Sequence, residues 1–361
     1  MHERAQFLSS SGSRSLEHSV RQAKKRWCKS HTSSHFNEDS DSTEFSDTTE
    51  DMSNISIITD FLLLGFSDVQ ELQVLHFVCF LGVYLAIFMG NFLIIALIAL
   101  NTHLHTPMYF FLVNLSIIDL GSISITLPRS MANDLMNRTQ ILYSECVAQV
   151  FFFTSFLSTN VFLLTVMAYD RYTAICQPLH YSSLMGKRAC FEKASGAWTA
   201  GFLNAAIQTW ATFSTPFCSH TVHQFCEIPQ LLRMSCSGFN FNEYAAIVFT
   251  SLFGFGCFVF IIASYVKIFS TVLRMPSLEG RQKAFSTCLP HLAVVSLFFC
   301  SAFFAYLLPT SSIDQKFTVI YTILPPMLNP VIYSMRNKDV KTALWKLFDG
   351  NFLTGSQNFH F

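Results

Sequence analysis

Apolar residues in this chain come in long blocks, and charge is missing from each block. No Asp, Glu, Lys or Arg occurs between Glu71 and Asp119, and the same holds for residues 146–169, 194–226, 244–266, 284–313 and 317–335. A helix needs roughly 20 apolar residues to cross a bilayer. Each window is long enough for one such helix or nearly so, and the first is long enough for two. The polar run Asn101-Thr-His-Leu-His-Thr-Pro107 divides it, and its proline suits the first turn of the next helix. The pattern predicts spans at 73–100, 107–131, 143–176, 192–215, 243–274, 283–309 and 316–335. The fold class is therefore an all-α membrane protein, a seven-transmembrane helix bundle. A buried soluble core explains one such block; it does not explain the whole series. A short eighth helix is expected at 337–348, where Val340, Leu344, Leu347 and Phe348 share a face flanked by Lys338, Lys341 and Lys346. That is an amphipathic, basic helix suited to the membrane surface.

Composition agrees: 361 residues, 51% hydrophobic and only 13% charged, against about 25% charged in an ordinary soluble domain. Net charge is zero, but the charges are sorted. If the segment before the first span lies outside, then Arg171, Lys187, Arg188, Lys193, Lys267, Arg274, Arg281, Lys283, Arg336, Lys338, Lys341 and Lys346 fall inside, and only Arg129, Arg138, Arg233 and Lys316 fall outside. The positive-inside rule places the N-terminus outside and the C-terminus in the cytoplasm. Residues 1–51 are polar, first basic and then acidic, with no signal peptide, so the first span is expected to act as the insertion signal.

The longest connection, roughly 216–242, carries Cys218, Cys226 and Cys236, and Cys146 sits at the outer end of the third span. All are on the predicted outer, oxidising side, where disulfides persist; four cysteines allow three connectivities. Glycosylation sequons at Asn54 and Asn137 are also predicted outside, with Asn54 on a polar tail of suitable length; a third, at Asn114, lies within the second span.

Five stretches are more specific. Leu104-His-Thr-Pro-Met-Tyr-Phe-Phe-Leu112 opens the second span. Met167-Ala-Tyr-Asp-Arg-Tyr-Thr-Ala-Ile-Cys176 closes the third and is followed by Pro178-Leu-His-Tyr181. Ser264-Tyr265 lies in the fifth, and Lys283-Ala-Phe-Ser-Thr-Cys288 opens the sixth. Pro326-Met-Leu-Asn-Pro-Val-Ile-Tyr-Ser-Met-Arg-Asn-Lys-Asp-Val-Lys341 ends the seventh. In this order, over residues 52–348, the chain resembles an olfactory receptor of the rhodopsin-like G-protein-coupled class, of the tetrapod (class II) type and its family-14 group. Met52 onward reads like the whole N-terminus of such a receptor. That organises the chain as an extension, 1–51, a receptor domain, 52–348, and a short cytoplasmic tail, 349–361.

The resemblance implies disulfides Cys146–Cys226 and Cys218–Cys236. It implies that Asp170, Arg171, Tyr172, Tyr265, Asn329, Pro330 and Tyr333 couple ligand binding to the G protein. A guanidinium at a span's end is costly unpaired, and the adjacent carboxylate supplies its partner. Pro330 removes a backbone donor and leaves a bendable point. Asp119 is ionisable inside a span, which marks a functional position. In this receptor class it belongs to a polar cluster with Asn91 and Asn329. Asn160 joins it where olfactory receptors usually carry Glu, one carboxylate fewer for a sodium ion at Asp119, so no metal is expected.

Carried over by position, the ligand pocket comprises Phe153, Thr154, Leu157 and Ser158 of the third span, Phe249, Thr250 and Phe253 of the fifth, Ala302, Phe303 and Tyr306 of the sixth, and Val319 and Thr322 of the seventh. The set is apolar and aromatic with a few hydroxyls, the usual recipe for a small-molecule cavity. Phe153 stands where amine receptors carry Asp, and nothing in the set is charged. A charged ligand would be left unpaired at low dielectric, so the expected ligand is small, neutral and volatile. The implied partners are an odorant, a stimulatory (olfactory-type) G protein that raises cyclic AMP, and the plasma-membrane bilayer, with no cofactor and no nucleic acid. His291, in the sixth span, reads as a hydrogen-bonded packing residue. No nucleophile–base pair, metal cluster or phosphate loop points to an enzyme. A transporter is the rival reading, but neither internal repeats nor several midplane charges support it.

Overall fold

The structure is a computed structural model, and it describes residues 60–64, 70–136, 140–219, 221–223, 225–236, 241–307 and 314–336. Seven long helices dominate it: α1 Gln70–Leu100, α2 Pro107–Met136, α3 Tyr143–Cys176, α4 Lys187–Phe213, α5 Phe241–Arg274, α6 Leu278–Leu307 and α7 Asp314–Arg336. They form one bundle. α1 packs on α2 and α7, α3 packs on α2, α4, α5 and α6, and α6 packs on α7. Among the described residues, α1, α2, α3, α5 and α6 are each long and apolar enough to cross a membrane. The expected eighth helix, the 1–51 extension and Asn54 lie outside the described residues.

The helices run past the apolar windows wherever their ends reach charge. α4 starts at Lys187, five residues before the predicted span, and its exposed first turns carry an Arg188–Glu192 pair of 2.8 Å. α6 starts at Leu278 because Ser277 caps it: Ser277 Oγ accepts from the Gly280 amide at 3.2 Å. α2 begins on Pro107, whose missing N–H costs nothing in a first turn.

α3 is the axis of the bundle, buried from Cys146 to Thr173. α4 reaches it through small residues: Ala194, Ala197, Gly201 and Ala205 are all buried, spaced at helical intervals. A Cβ on Gly201 would lie 2.0 Å from Thr159 Oγ1 and 3.0 Å from the Ser155 carbonyl oxygen, so only glycine allows this approach. α1 and α5 instead present large apolar side chains outward, Leu75, Met89, Leu252 and Phe255 among them. In lipid such a face is at no disadvantage, and polar backbone is satisfied within each helix.

The disulfide-bearing end carries a small sheet. β1 (Asp60–Leu64) lies between β2 (Gln140–Leu142), antiparallel to it, and β3 (Thr221–His223), parallel to it. Phe61, Leu63, Ile141, Val150, Val222 and Leu231 pack beneath it around the Cys146–Cys226 disulfide. The second disulfide, Cys218–Cys236, closes its own loop beside a bridge between Phe217 and Ser235. These are the two pairings that the resemblance implies.

Candidate functional site

Four helices, α2, α3, α6 and α7, enclose a cavity of about 50 Å³. Ile118, Asp119 and Ser122 line it from α2, and Phe153, Phe156, Leu157 and Asn160 from α3. Phe298, Ser301 and Ala302 contribute from α6, and Thr322, Pro325 and Pro326 from α7. A buried water needs roughly 10–15 Å³ of such space, so this volume corresponds to a few small atoms rather than a drug-sized molecule.

The cavity joins two sets that the sequence treats separately. Phe153, Leu157, Ala302 and Thr322 come from the predicted ligand set, and Asp119 and Asn160 from the polar cluster. Thr154 is buried but outside this lining, and Phe303, Tyr306 and Val319 have side chains outside the described residues. No residue of α5 lines the cavity. Phe249 and Phe253 are half exposed, and the Phe253 ring stands edge-on to Phe162 of α3, 5.2 Å between centroids. Ser158 and Thr250 belong to a hydrogen-bond chain between helices: Asn204 donates to Ser158 Oγ at 2.8 Å, Thr250 donates to Asn204 Oδ1 at 2.7 Å, and Gln208 donates to Thr250 Oγ1 and, at 2.9 Å, to the Ala246 carbonyl. This chain fastens α3, α4 and α5 together.

Below the cavity, Asn329 Nδ2 donates to Asp119 Oδ2 at 2.9 Å, tying α7 to α2. Asn91 Nδ2 reaches the Pro326 carbonyl at 3.2 Å as well as the Ile87 carbonyl at 3.1 Å. The first contact has a simple cause. Pro330 lacks the N–H that would bond to residue 326 in a regular helix, and Asn91 from α1 takes the freed acceptor. The neighbouring Gly90 lets α1 come this near: its Cβ would meet Pro330 Cβ at 3.3 Å.

At the end of α3 away from the disulfides, Asp170 is fully buried. Arg171 binds its Oδ2 through Nε at 3.0 Å and also through Nη2, and Tyr181, on a one-turn helix Tyr181–Leu184, donates to Oδ1 at 2.8 Å. Tyr172 packs at the edge of the same core. Farther along, His291 Nε2 lies 3.0 Å from the Leu164 carbonyl and Nδ1 lies 2.7 Å from Tyr265 Oη. A carbonyl only accepts, so Nε2 carries a proton, and in that tautomer of the neutral ring Tyr265 donates to Nδ1. One ring thus links α3, α5 and α6. Tyr333 is buried nearby on α7, its hydroxyl without a hydrogen-bond partner among the described residues.

The family model described as "Olfactory receptor" matches residues 78–350. The chain belongs to the olfactory receptor family. Human relatives of the family-14 group are similar over most of their length. Olfactory receptor 14J1 is 49% identical over 82% of this chain and 94% of its own, and Olfactory receptor 14A16 is 49% identical over 83% and 98%. The crystal structure of squid rhodopsin superposes with a TM-score of 0.63 at 17% identity, covering 80% of this chain and 90% of that one, which shows the shared seven-helix fold. The chain is thus an odorant receptor, a multi-pass protein of the plasma membrane, and not an enzyme.

Several residues that organise this olfactory receptor are not among those singled out from the sequence. Gln149 donates to the Ile125 carbonyl at 2.9 Å and accepts from the Cys226 amide at 2.7 Å, so one amide joins α2, α3 and the disulfide loop. Asn204 and Gln208 are the two amides of the 194–215 run, and a buried amide in a span is the cue that would single them out.

Proposed function

We propose that this receptor responds to small, neutral, mostly apolar odorants taken up between α2, α3, α6 and α7, and that it activates a stimulatory G protein to raise cyclic AMP. The observation that carries this reading is the cavity: apolar and aromatic walls with a few hydroxyls and one amide, and, among the described residues, one ionisable group, Asp119, already engaged by Asn329. An isolated charge entering such a lining is strongly disfavoured. The cavity is small, so a ligand larger than a few atoms acts by favouring a wider arrangement of the helices over this one. The excess of Lys and Arg on one set of loops supports an orientation with the disulfide-bearing end outside and Asp170–Arg171 facing the cytoplasm. Residues 1–51 are read as an extension before the receptor domain, residues 349–361 as a cytoplasmic tail, and Asn54 as a glycosylation site.

The test is a cyclic-AMP reporter screen of surface-expressed receptor against a chemically diverse panel. Activation by neutral alcohols, aldehydes, ketones or esters is expected. Selectivity for simple amines or carboxylates would overturn the ligand class, and responses insensitive to loss of the stimulatory G protein would overturn the coupling.

A further inference from the structure

We infer that the floor of the cavity is a hydrogen-bonding subsite for a neutral hydroxyl group, with Asn160 as the residue that selects for it. This rests on the receptor reading above and specifies which neutral ligands it favours.

The inference comes from counting donors and acceptors. Asn160 is only 6% exposed, lines the cavity, and its Oδ1 has no hydrogen-bond partner among the described residues. The two serines beside it have already used their protons: Ser122 Oγ donates to the Asp119 carbonyl at 3.0 Å and Ser301 Oγ to the Phe298 carbonyl at 2.8 Å. What they present to the cavity is lone pairs. Asp119 is an acceptor when ionised. Asn160 Nδ2 adds the floor's amide donor, so Asn160 itself presents one acceptor and one donor group unpaired among the described residues, and a buried acceptor left unmatched carries a desolvation cost. A ligand that ends in O–H can donate to Oδ1 and accept from Nδ2, whereas an ether or ketone can only accept and leaves Oδ1 unmatched. The rest of the lining fits the other end of such a molecule: Phe153, Leu157 and Phe298 are apolar. An ammonium also donates, but it would bring a full charge among those side chains. Asn160, neutral where the resemblance expects a glutamate, leaves Asp119 as the one carboxylate in the lining among the described residues.

The experiment compares short primary alcohols, methyl ethers of the same chain length and primary amines of the same length in a cyclic-AMP reporter, with surface level measured by an epitope at the chain's start. In the unmodified receptor alcohols should reach half-maximal response at roughly tenfold lower concentration than the ethers, the size expected for one unmatched buried acceptor. Asn160→Leu, similar in shape and unable to hydrogen-bond, should bring the two series to within about twofold while the ether response survives; Asn160→Ser, which restores an acceptor, should regain much of the preference. An undiminished alcohol preference in Asn160→Leu overturns the proposal, as does an unmodified receptor that prefers ethers or amines. If Asn160→Leu does not reach the surface, Ser301→Ala takes its place: a several-fold loss of alcohol preference is expected, and no change overturns the subsite. Equal responses to alcohols and ethers remove the subsite and leave the receptor reading intact. Silence of the surface-expressed receptor to every series removes both.

Discussion

Tyr181 donates its phenolic proton to Oδ1 of Asp170 across 2.8 Å, on the side of the carboxylate opposite Arg171. Both oxygens of a fully buried carboxylate are thereby engaged, one by the neighbouring guanidinium and one by the loop that follows α3. Burial first, and then the Asp170 carboxylate, push the Tyr181 phenol above its ordinary value, so the group stays protonated and acts as donor. Hydrogen bonds to charged groups contribute about 1.5–3 kcal/mol. Tyr181→Phe should loosen the Asp170–Arg171 pair and raise ligand-independent cyclic AMP several-fold at equal surface level. An unchanged baseline would show that the phenol takes no part in holding the resting state.

The Asn91–Pro326 contact gives a sharper test because its cause is covalent. Asn91→Leu strands the Pro326 carbonyl that Pro330 cannot serve, and should cost about 1–3 kcal/mol, seen as a lower melting temperature of detergent-solubilised receptor. Adding Pro330→Ala supplies an N–H one turn on and should restore much of that stability. Additive losses in the double variant would refute this account of the pair.

Gln149 holds the Cys226 amide at 2.7 Å and the Ile125 carbonyl at 2.9 Å. Gln149→Leu leaves both backbone groups unsatisfied at a buried site, so surface expression should fall well below half, and the surviving receptor should show a more easily reduced Cys146–Cys226 bond in a thiol-labelling assay. Labelling unchanged from the unmodified receptor would argue that the disulfide loop is held without it.

Gly201→Val should abolish surface expression, since its first added carbon already overlaps Thr159 Oγ1 and approaches backbone at 3.0 Å. Gly201→Ala with Thr159→Ala should recover a measurable fraction by removing the nearest clash. Full expression of Gly201→Val would mean that α4 moves away from α3 at little cost.

The spans were legible because lipid imposes a single rule, a long run of apolar residues, on every crossing segment. Asn101 to Pro107 marked the first boundary with the same clarity, and α2 begins on Pro107. The ends of α4 and α6 were less legible, because a helix continues into water for as long as caps and ion pairs such as Arg188–Glu192 support it. The site divided in the same way. Asp119, Asn329 and Asp170 stand out as polar groups in apolar runs, and each has a partner in the structure. Which helices enclose the cavity was not legible: it depends on how α5 is rotated, and the chain linking Ser158, Asn204, Thr250 and Gln208 involves residues far apart in sequence. The sheet left no trace, since strands of three to five residues are too short to show an alternating pattern.

That sheet carries a consequence for how the receptor is made. Its central strand, β1, is the first described element of the chain, yet its register pairs Phe61 with Ile141 and Leu63 with Val222. Neither neighbour exists when β1 leaves the ribosome, and β3 is synthesised only after α4 is complete. Closing so long a loop is slow relative to forming a helix. The first of the described elements to be made is therefore among the last to find its place, and until it does, Phe61 and Leu63, both fully buried in the finished fold, stay uncovered. For the quality-control machinery of the cell, a docked β1 is a sign that the chain behind it has been completed through at least the fourth helix.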